Sequence, residues 1–376
     1  MIFSILISSC EDEKEEPAIA PNLDYEIILY QYQNDVEIKA EFETGLQWCF
    51  SYLGAQLEKG SWAKGTSWLD TQRIQIDVEE FGFDQTALQS LKELISIYKQ
   101  SEEYSVTGGI DAGRFVVSIF NNSNHYYKIV GMPSVLNNFV SDYTFLQKKA
   151  AIIESAVAFG ERIINIPQED GNIHSLGYLA EEIIGSLSDS SHVVKENEVM
   201  DIMPNGQLRF GIYNANKELI TGADTTLSIA GKPAKCLWCH EVNIQTAIAA
   251  LTAIPGYYSP PQFDSVINQN RTILEAYRAS LNTEIDFNDI SQHAELEKLY
   301  IRFMEPSTKR LSGEWSITEQ EVKSRLSNLS THINHEFPEL GNLYHRTEVE
   351  TYSPYQVIRS TSSARETVLN EPNLLL

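Results

Sequence analysis

The chain has 376 residues, 42% of them hydrophobic, which is enough to bury two or three compact cores. Its 28 basic and 52 acidic residues give a formal net charge of −24. A surface this acidic repels phosphate backbones, which argues against nucleic acid as a partner. Beyond the N-terminus, the sequence has no apolar run near the ~20 residues that span a bilayer.

The first ten residues, MIFSILISSC, place an apolar run and two serines directly before Cys10. This pattern resembles the lipobox of bacterial lipoproteins, whose cysteine is lipidated and becomes the new N-terminus. The resemblance implies that residues 1–10 are a lipoprotein signal and that Cys10 carries the lipid. The apolar run is short and has no Lys or Arg before it, which suggests a start codon placed too late. An ordinary apolar N-terminus is the alternative.

Residues 11–23 are predicted to be an acidic tether, because the run Glu11-Asp12-Glu13-Lys14-Glu15-Glu16 cannot pack into a core. An acidic run just behind a lipidated cysteine also resembles the surface-export signal of lipoproteins in the Bacteroidetes group. The two resemblances together imply a cell-envelope protein. They describe an outer-membrane lipoprotein that could be exposed at the cell surface and that contacts the membrane through its lipid.

Residues 24–223 mix helical and strand patterns and are predicted to form an α+β domain of unknown role. Apolar spacings of three and four predict helices at 38–57, after the capping residue Asp84, at 145–164 and at 176–187. Runs rich in β-formers predict strands at 114–120, where helix is the alternative, and at 125–130. The segment 207–222 has the pattern of a hairpin, with two short runs around Asn-Ala-Asn-Lys.

Residues 224–350 are predicted to form a helical domain. Helical patterns cover 243–254, 261–281, 291–304 and 317–329. The last of these has a capping box from Thr318 to Glu321. Residues 351–376 are a polar tail, which we expect to be poorly ordered.

The most specific motif is Cys236-Leu237-Trp238-Cys239-His240, which resembles the attachment signature of c-type haem. Two thiols one helical turn apart can each add to a vinyl group of the porphyrin, and the next residue can donate an imidazole nitrogen to the iron. The resemblance makes Cys236 and Cys239 the thioether positions and His240 the proximal ligand. It implies covalent haem c as the cofactor, and a helix is expected after the motif.

Other chemistries for this motif remain open. A thioredoxin-like dithiol needs a preceding strand, whereas a loop with a proline precedes Cys236. A zinc site needs more ligands, and His332 and His335 have only two residues between them. An inert turn or a disulfide is the remaining reading. Cys49 lies on an apolar helical face and is assigned to the core.

The sixth iron ligand would separate electron transfer from gas or peroxide chemistry. In the class I cytochromes that this segment resembles, it is a methionine about sixty residues downstream, before the last helix. Met304 is the only methionine after His240, and the resemblance therefore makes it the distal ligand. Met304 also continues an apolar helical face, so it could be a core residue instead. The competing ligands are His332, His335 and His345.

The predicted architecture is thus an α+β N-terminal domain followed by a mostly α-helical, cytochrome c-like C-terminal domain. The predicted function is that of a lipid-anchored, extracytoplasmic monohaem c-type protein in electron transfer or redox sensing at the cell envelope. Such a protein would carry electrons for a redox partner protein rather than catalyse a reaction. The alternative is a surface binding lipoprotein whose C-x-x-C-H segment holds zinc or a disulfide.

Overall fold

A computed structural model describes residues 25–32, 38–188, 191–240, 243–244, 249–251 and 253–375. The signal, the tether and Cys10 lie outside these residues. Within them the chain combines helices with β-sheets, which confirms the mixed composition expected from the sequence.

The helices and strands alternate irregularly along the chain. The strands are β1 (Glu26–Tyr30), β2 (Thr66–Trp68), β3 (Arg73–Asp77), β4 (Ile110–Asp111), β5 (Ala150–Ile152), β6 (Glu154–Ser155), β7 (Arg162–Asn165), β8 (Tyr178–Ile184), β9 (Val193–Ile202), β10 (Leu208–Asn214) and β11 (Ala249–Ala250). The helices are α1 (Lys39–Tyr52), α2 (Ser61–Gly65), α3 (Gln85–Lys99), α4 (Glu102–Thr107), α5 (Ala112–Val116), α6 (Ser123–Ile129), α7 (Leu136–Ser141), α8 (Pro233–His240), α9 (Pro260–Ser280), α10 (His293–Met304), α11 (Thr308–Trp315), α12 (Glu319–Arg325) and α13 (Arg346–Val349).

Two larger sheets organise the fold. The first has the strand order β2-β3-β1-β4, and β1 runs antiparallel to β3 and parallel to β4. The second is fully antiparallel, with the order β10-β9-β8-β7-β5. A short pair, β6 with β11, lies apart from both sheets. The second sheet provides the wall on which the candidate site is built.

Several predicted helices are confirmed at close to their predicted limits. They are α1, α3, α9, α10 and α12. The Asp84 side chain accepts a hydrogen bond from the Ala87 N–H at the start of α3. Thr318 and Glu321 form the predicted capping box of α12. Local signals sufficed at these places because each helix has one apolar stripe and a polar residue that satisfies its first N–H groups.

Two predicted helices are strands. The segments 145–164 and 176–187 contain β5, β7 and β8 instead of helices. All three residues of β5 are buried, so the strand shows none of the alternation that marks a half-exposed strand. An apolar run that is buried on both faces cannot be told from a helix by its period.

Two predicted strands are helices. The run 114–120 belongs to α5 and to the π-helical turn Val117–Asn121, and 125–130 belongs largely to α6. Asp111 and Asn122 cap these helices, and residues 112–123 are all buried. A helix that is surrounded by core can be built from β-branched and aromatic residues, because burial outweighs their weak intrinsic preference for strands.

Two further predictions are corrected in part. The predicted helix 243–254 is wrong at Ala249 and Ala250, which pair as β11 with Ser155 and Glu154, while 245–248 lie outside the described residues. The hairpin turn at 207–222 is confirmed, since the Asn214 N–H donates to the Glu218 carbonyl. Its second arm is not a full strand, and it pairs with the first through the bridge between Tyr213 and Leu219 and the Ile220 N–H to Ile212 carbonyl bond.

A buried ionic network joins segments from both sides of residue 223. Arg114 pairs with Glu103 and with Glu350, each at 2.8 Å, and Arg346 pairs with Glu314 at 2.8 Å. Arg114, Arg346, Glu103 and Glu314 are each 1% exposed. Buried charges of this kind are stable only when each has its partner, so the network fixes one mutual arrangement of these helices.

The polar tail is packed against the rest of the chain, and the expectation of poor order is wrong for residues 351–375. The Asn121 side chain donates to the Ala364 carbonyl at 3.0 Å. Lys232 and Glu371 form a buried ion pair at 2.5 Å. The Leu374 N–H donates to His125 Nε2 at 2.8 Å. The polar composition of the tail suggested poor order because a sequence does not distinguish polar side chains with buried partners from solvated ones.

Candidate functional site

The motif cysteines and His240 lie on one short helix, α8. Pro233 starts the helix, where its fixed φ and missing N–H cost nothing. The residues before it are held by the tail, because the Lys232 N–H donates to the Arg365 carbonyl at 3.1 Å. Gly231 has a φ of +70°, and a Cβ there would collide with Arg365 O. Helix α8 is therefore fixed at its start by both backbone conformation and packing.

The second sheet presents one face to α8. Cross-strand partners share a face, so the registers define this surface row by row. One row is Phe210, Met200 and Tyr178, and the next is Ile212, Glu198, Ala180 and Ile164. A third row is Asn214, Glu196, Glu182, Arg162 and Ile152. The first row is apolar, the second contains one charged residue, Glu198, and the third contains three, Glu196, Glu182 and Arg162.

A cavity separates α8 from this face, and we call it the cysteine cavity. The cavity has a volume of about 160 Å³, opens to solvent and is mostly apolar. Cofactor sites are also mostly apolar. The wall is formed by Ile152, Ser155, Val157, Arg162, Ile164, Tyr178, Ala180, Glu198, Val199, Met200, Phe210, Gly211, Ile212, Ala230, Lys235, Cys236, Cys239, His240, Ile244, Phe263 and Ile267. All three motif residues predicted to hold haem thus line one cavity.

His240 is oriented by two contacts. Its ring packs against Phe210, with ring centroids 5.1 Å apart, and its Nδ1 lies 3.2 Å from the Asn243 carbonyl oxygen. A carbonyl only accepts hydrogen bonds, so Nδ1 carries the proton and Nε2 is the nitrogen with which the ring could bind a metal. Burial lowers the pKa of His240, which keeps the imidazole neutral. The orienting carbonyl belongs to Asn243, three residues after His240.

Both motif thiols are unpaired and half-buried. Cys236 and Cys239 are free cysteines, as is Cys49, which is fully buried in the core as expected. Burial raises the pKa of Cys236 well above its ordinary value and also raises the pKa of Cys239. A thiol with a raised pKa is a poor nucleophile in exchange reactions and a poor ligand until it loses its proton. This environment does not resemble that of a reactive redox dithiol.

Trp238, between the two cysteines, lies against a different part of the structure. The Arg365 guanidinium lies 4.3 Å from the centroid of the Trp238 ring and also donates to the Tyr300 hydroxyl at 3.1 Å. The helix thus has one side on the cavity and another side locked into the core. This division holds both cysteines and His240 on the cavity wall.

The cationic side chains of the cavity already have carboxylate partners. Arg162 pairs with Glu182, and its Nη2 lies 3.4 Å from Glu198. Lys235 pairs with the exposed Glu366 at 2.7 Å. Burial raises the pKa of Glu182, and the Arg162 guanidinium beside it opposes that rise.

The predicted distal ligands occupy another cavity, which we call the histidine cavity. Met304, His332, His335 and His345 all line it, together with Glu305. The rings of His332 and His345 are stacked with centroids 4.2 Å apart, and His332 Nε2 lies 2.9 Å from a Glu305 carboxylate oxygen. Met304 is 7% exposed and buried at the end of α10, which fits its reading as a core residue. The fold gathers these four residues with one another and not with His240.

Met200 lies on the wall of the cysteine cavity and was missed by the sequence analysis. It is directly opposite Phe210 in the strand register, and Phe210 contacts His240. The cytochrome resemblance places the distal methionine after the motif. The strand β9 precedes the motif, so chain order alone gave no signal for Met200.

In the part of the chain that the structure describes, no group of three or more His, Cys, Asp and Glu side chains has the arrangement of a metal site. The same described residues include no helix that is both long enough and apolar enough to cross a bilayer.

Comparison with protein-family models, with curated proteins and with solved structures finds no match to this chain.

Proposed function

We propose that this chain is a lipid-anchored, monohaem c-type protein of the cell envelope that transfers single electrons or senses redox state. The observation that carries the proposal is the placement of Cys236, Cys239 and His240 on one wall of an apolar cavity.

The residues fit covalent haem in their chemistry. The two thiols are unpaired and one helical turn apart, so both are available for thioether bonds. His240 is neutral and oriented by the Asn243 carbonyl, as a proximal ligand requires. Bound haem would supply an iron that cycles between two oxidation states, while the chain holds it, excludes water and sets its ligands.

Met200 is our proposed sixth ligand in place of Met304. A sixth ligand must reach the same cavity as His240, and Met200 does so while Met304 lines the histidine cavity. A thioether ligand favours ferrous over ferric iron more than an imidazole does, which suits an electron carrier of raised potential. This ligation supports electron transfer over gas or peroxide chemistry, which needs an open position.

Absorption spectroscopy tests the proposal most directly. The protein is matured in a host with a c-type haem attachment system and then extracted with acid-acetone. Covalent haem gives an intense Soret band that stays with the protein after extraction. A purified protein with no such band, but with bound zinc or a Cys236–Cys239 disulfide by mass analysis, would support the rival function of a surface binding lipoprotein instead.

The anchor is tested separately, since Cys10 lies outside the described residues. In cells that carry the complete signal sequence, Cys10→Ser should move the protein from the detergent phase to the aqueous phase. One acyl chain binds only marginally, so the several chains on a lipoprotein cysteine are what make the anchor stable. Unchanged partitioning of the variant would reject lipidation at Cys10 and leave the haem proposal intact.

A further inference from the structure

An exposed apolar surface lies at the edge of the cysteine cavity. Val157 and Ile229, and likewise Phe159 and Leu227, face each other across the bridge between Ala158 and Ser228. Ala158 and Ser228 point inward and are 7% and 1% exposed. Side chains alternate along extended chains, so the two flanking pairs point outward together. We call these four side chains the rim ribbon: Val157, Phe159, Leu227 and Ile229.

The rim ribbon is more exposed than ordinary packing requires. Phe159 is 66% exposed and Ile229 is 48% exposed. Phe159 is followed by Gly160, whose Cα approaches the Ile183 carbonyl so closely that a Cβ would lie 2.6 Å from its oxygen. The next residue of that strand, Ile184, is 51% exposed and pairs with Val193, which is 55% exposed. Two more exposed apolar side chains therefore lie one residue beyond this close approach.

This surface is joined to the cavity, because Val157 belongs to both. Val157 lines the cysteine cavity, as does Ala230, the residue after Ile229. A partner that covers the rim ribbon would thus lie at the mouth of the space that the proposed cofactor occupies. Contiguous exposed apolar surface with a polar rim is typical of sites where another protein docks.

The charges around the rim ribbon define the partner. The charged residues of segments 154–161 and 222–231 are Glu154, Glu161 and Asp224, all acidic. The basic residues that follow these segments, Arg162 and Lys232, are buried and paired with Glu182 and Glu371. Lys235 pairs with Glu366, and Lys195, near Val193, is exposed. The chain as a whole carries −24. An apolar centre with an acidic rim complements a partner whose own apolar centre has a basic rim.

We infer that the rim ribbon is the docking surface for a basic redox protein, which exchanges one electron with this chain at the mouth of the cysteine cavity. The inference rests on the proposed haem function and adds the site and the charge of the partner. Complexes of this kind are small and short-lived, so a few apolar contacts with charge steering suffice. The electron lost by the reduced partner is the electron gained by the oxidised iron, with no other reactant.

Stopped-flow oxidation of a small basic c-type cytochrome by the haem-loaded full chain provides the test. Phe159→Ser should lower the bimolecular rate constant by about tenfold, because a central apolar contact is lost. Glu154→Lys should lower the rate constant by about threefold at low salt and less at high salt. Val106→Ser is the matched control, since Val106 is 61% exposed elsewhere, on α4. Its rate should equal that of the unchanged chain.

The outcomes separate the inference from the function on which it rests. An absent Soret band would reject the haem function itself. Intact haem with unchanged rate constants in both Phe159→Ser and Glu154→Lys would overturn only the docking surface. A dimer in sedimentation that Phe159→Ser dissolves, or vesicle binding that it abolishes, would assign the ribbon to a second copy or to lipid and would also overturn the inference. Melting curves confirm that these exposed substitutions leave the chain folded.

Discussion

The cysteine cavity and the histidine cavity offer similar ligand atoms in different settings. Each contains a methionine, Met200 in the first and Met304 in the second. The cysteine cavity adds the two thiols and one buried imidazole on a single helix. The histidine cavity adds three histidines, of which His335 and His345 are exposed, with Glu305 beside them.

The difference shows that ligand type is a weak guide to a cofactor site and that a shared cavity is a stronger one. Spacing along the chain assigned Met304 to the iron, because it follows His240 at a distance typical of the cytochromes. The fold instead opposes the motif helix with β9 and places Met304 among the histidines. The first two predictions compare residues of the cysteine cavity with matched residues elsewhere.

The largest expected effect is the loss of covalent haem. Cys236→Ala with Cys239→Ala should abolish the Soret band after acid-acetone extraction, because no thioether bond can form. Cys49→Ala is the matched control, since Cys49 is a free cysteine in the core. We expect it to keep the band and to lose about 1 kcal/mol of stability from the small cavity. Retention of covalent haem by the double variant would disprove the assignment of these thiols.

The second prediction compares the two methionines. Met200→Ala should abolish the weak near-infrared charge-transfer band of thioether-ligated ferric iron and lower the reduction potential, while covalent attachment remains. Met304→Ala should keep the band. Both residues are buried, at 8% and 7% exposure, so each variant should lose about 2–5 kcal/mol of stability. The reverse pattern in the band would restore Met304 as the ligand and leave Met200 as a packing residue.

A third effect, smaller in energy, concerns Glu196 in the third row of the second sheet. Burial raises the pKa of Glu196 from 4.5 to about 7, so the folded state favours the protonated carboxyl. The stability from this group is complete below pH 4.5 and is lost as the pH rises through 7. Glu196→Gln should therefore stabilise the chain by roughly 1–3 kcal/mol at pH 8 and very little at pH 4.

Denaturant unfolding at both pH values measures this difference for Glu196→Gln. The exposed Glu154→Gln is the control, because a surface carboxylate contributes little at either pH. If Glu196→Gln stabilised the chain equally at pH 4 and pH 8, ionisation of the buried Glu196 carboxyl would not be what destabilises the folded state.

The smallest expected effect lies in the histidine cavity. His332→Gln should leave the haem spectrum unchanged and should cost less than about 1 kcal/mol of stability, since its contact with Glu305 is partly solvated. Visible and near-infrared spectra of the variant, together with its unfolding curve, check both statements. A changed iron spectrum would show that the histidine cavity takes part in ligation after all.

Local sequence signals predicted the capped helices and the motif geometry. Asp84, Thr318 and Glu321 form the predicted caps because these contacts lie within four residues in the chain. The one-turn separation of Cys236 and Cys239 likewise follows from helix geometry alone. The helix itself begins at Pro233, in a segment that the sequence pattern predicts to be a loop.

The second sheet could not be read from local patterns. Strands β5 and β8 are buried on both faces or carry paired charges, such as Glu182 with Arg162, in place of alternating polar residues. Those charges have partners on neighbouring strands, which the sequence does not identify. The strands predicted between α5 and α6 were wrong for a related reason. The core surrounds these residues on all sides, and their β-branched side chains indicated a strand preference that burial overrides.

What the sequence determined by itself is the chemistry within one turn of helix: two thiols and one imidazole. What only the tertiary structure decided is which distant residues meet that chemistry. Met200, the Asn243 carbonyl and the rim ribbon come to the cysteine cavity through strand register and loop closure. The tail from 351 to 375 is ordered by contacts with Asn121, His125 and Lys232. Such contacts depend on long-range pairing, whose energy is spread over many residues and leaves no local pattern.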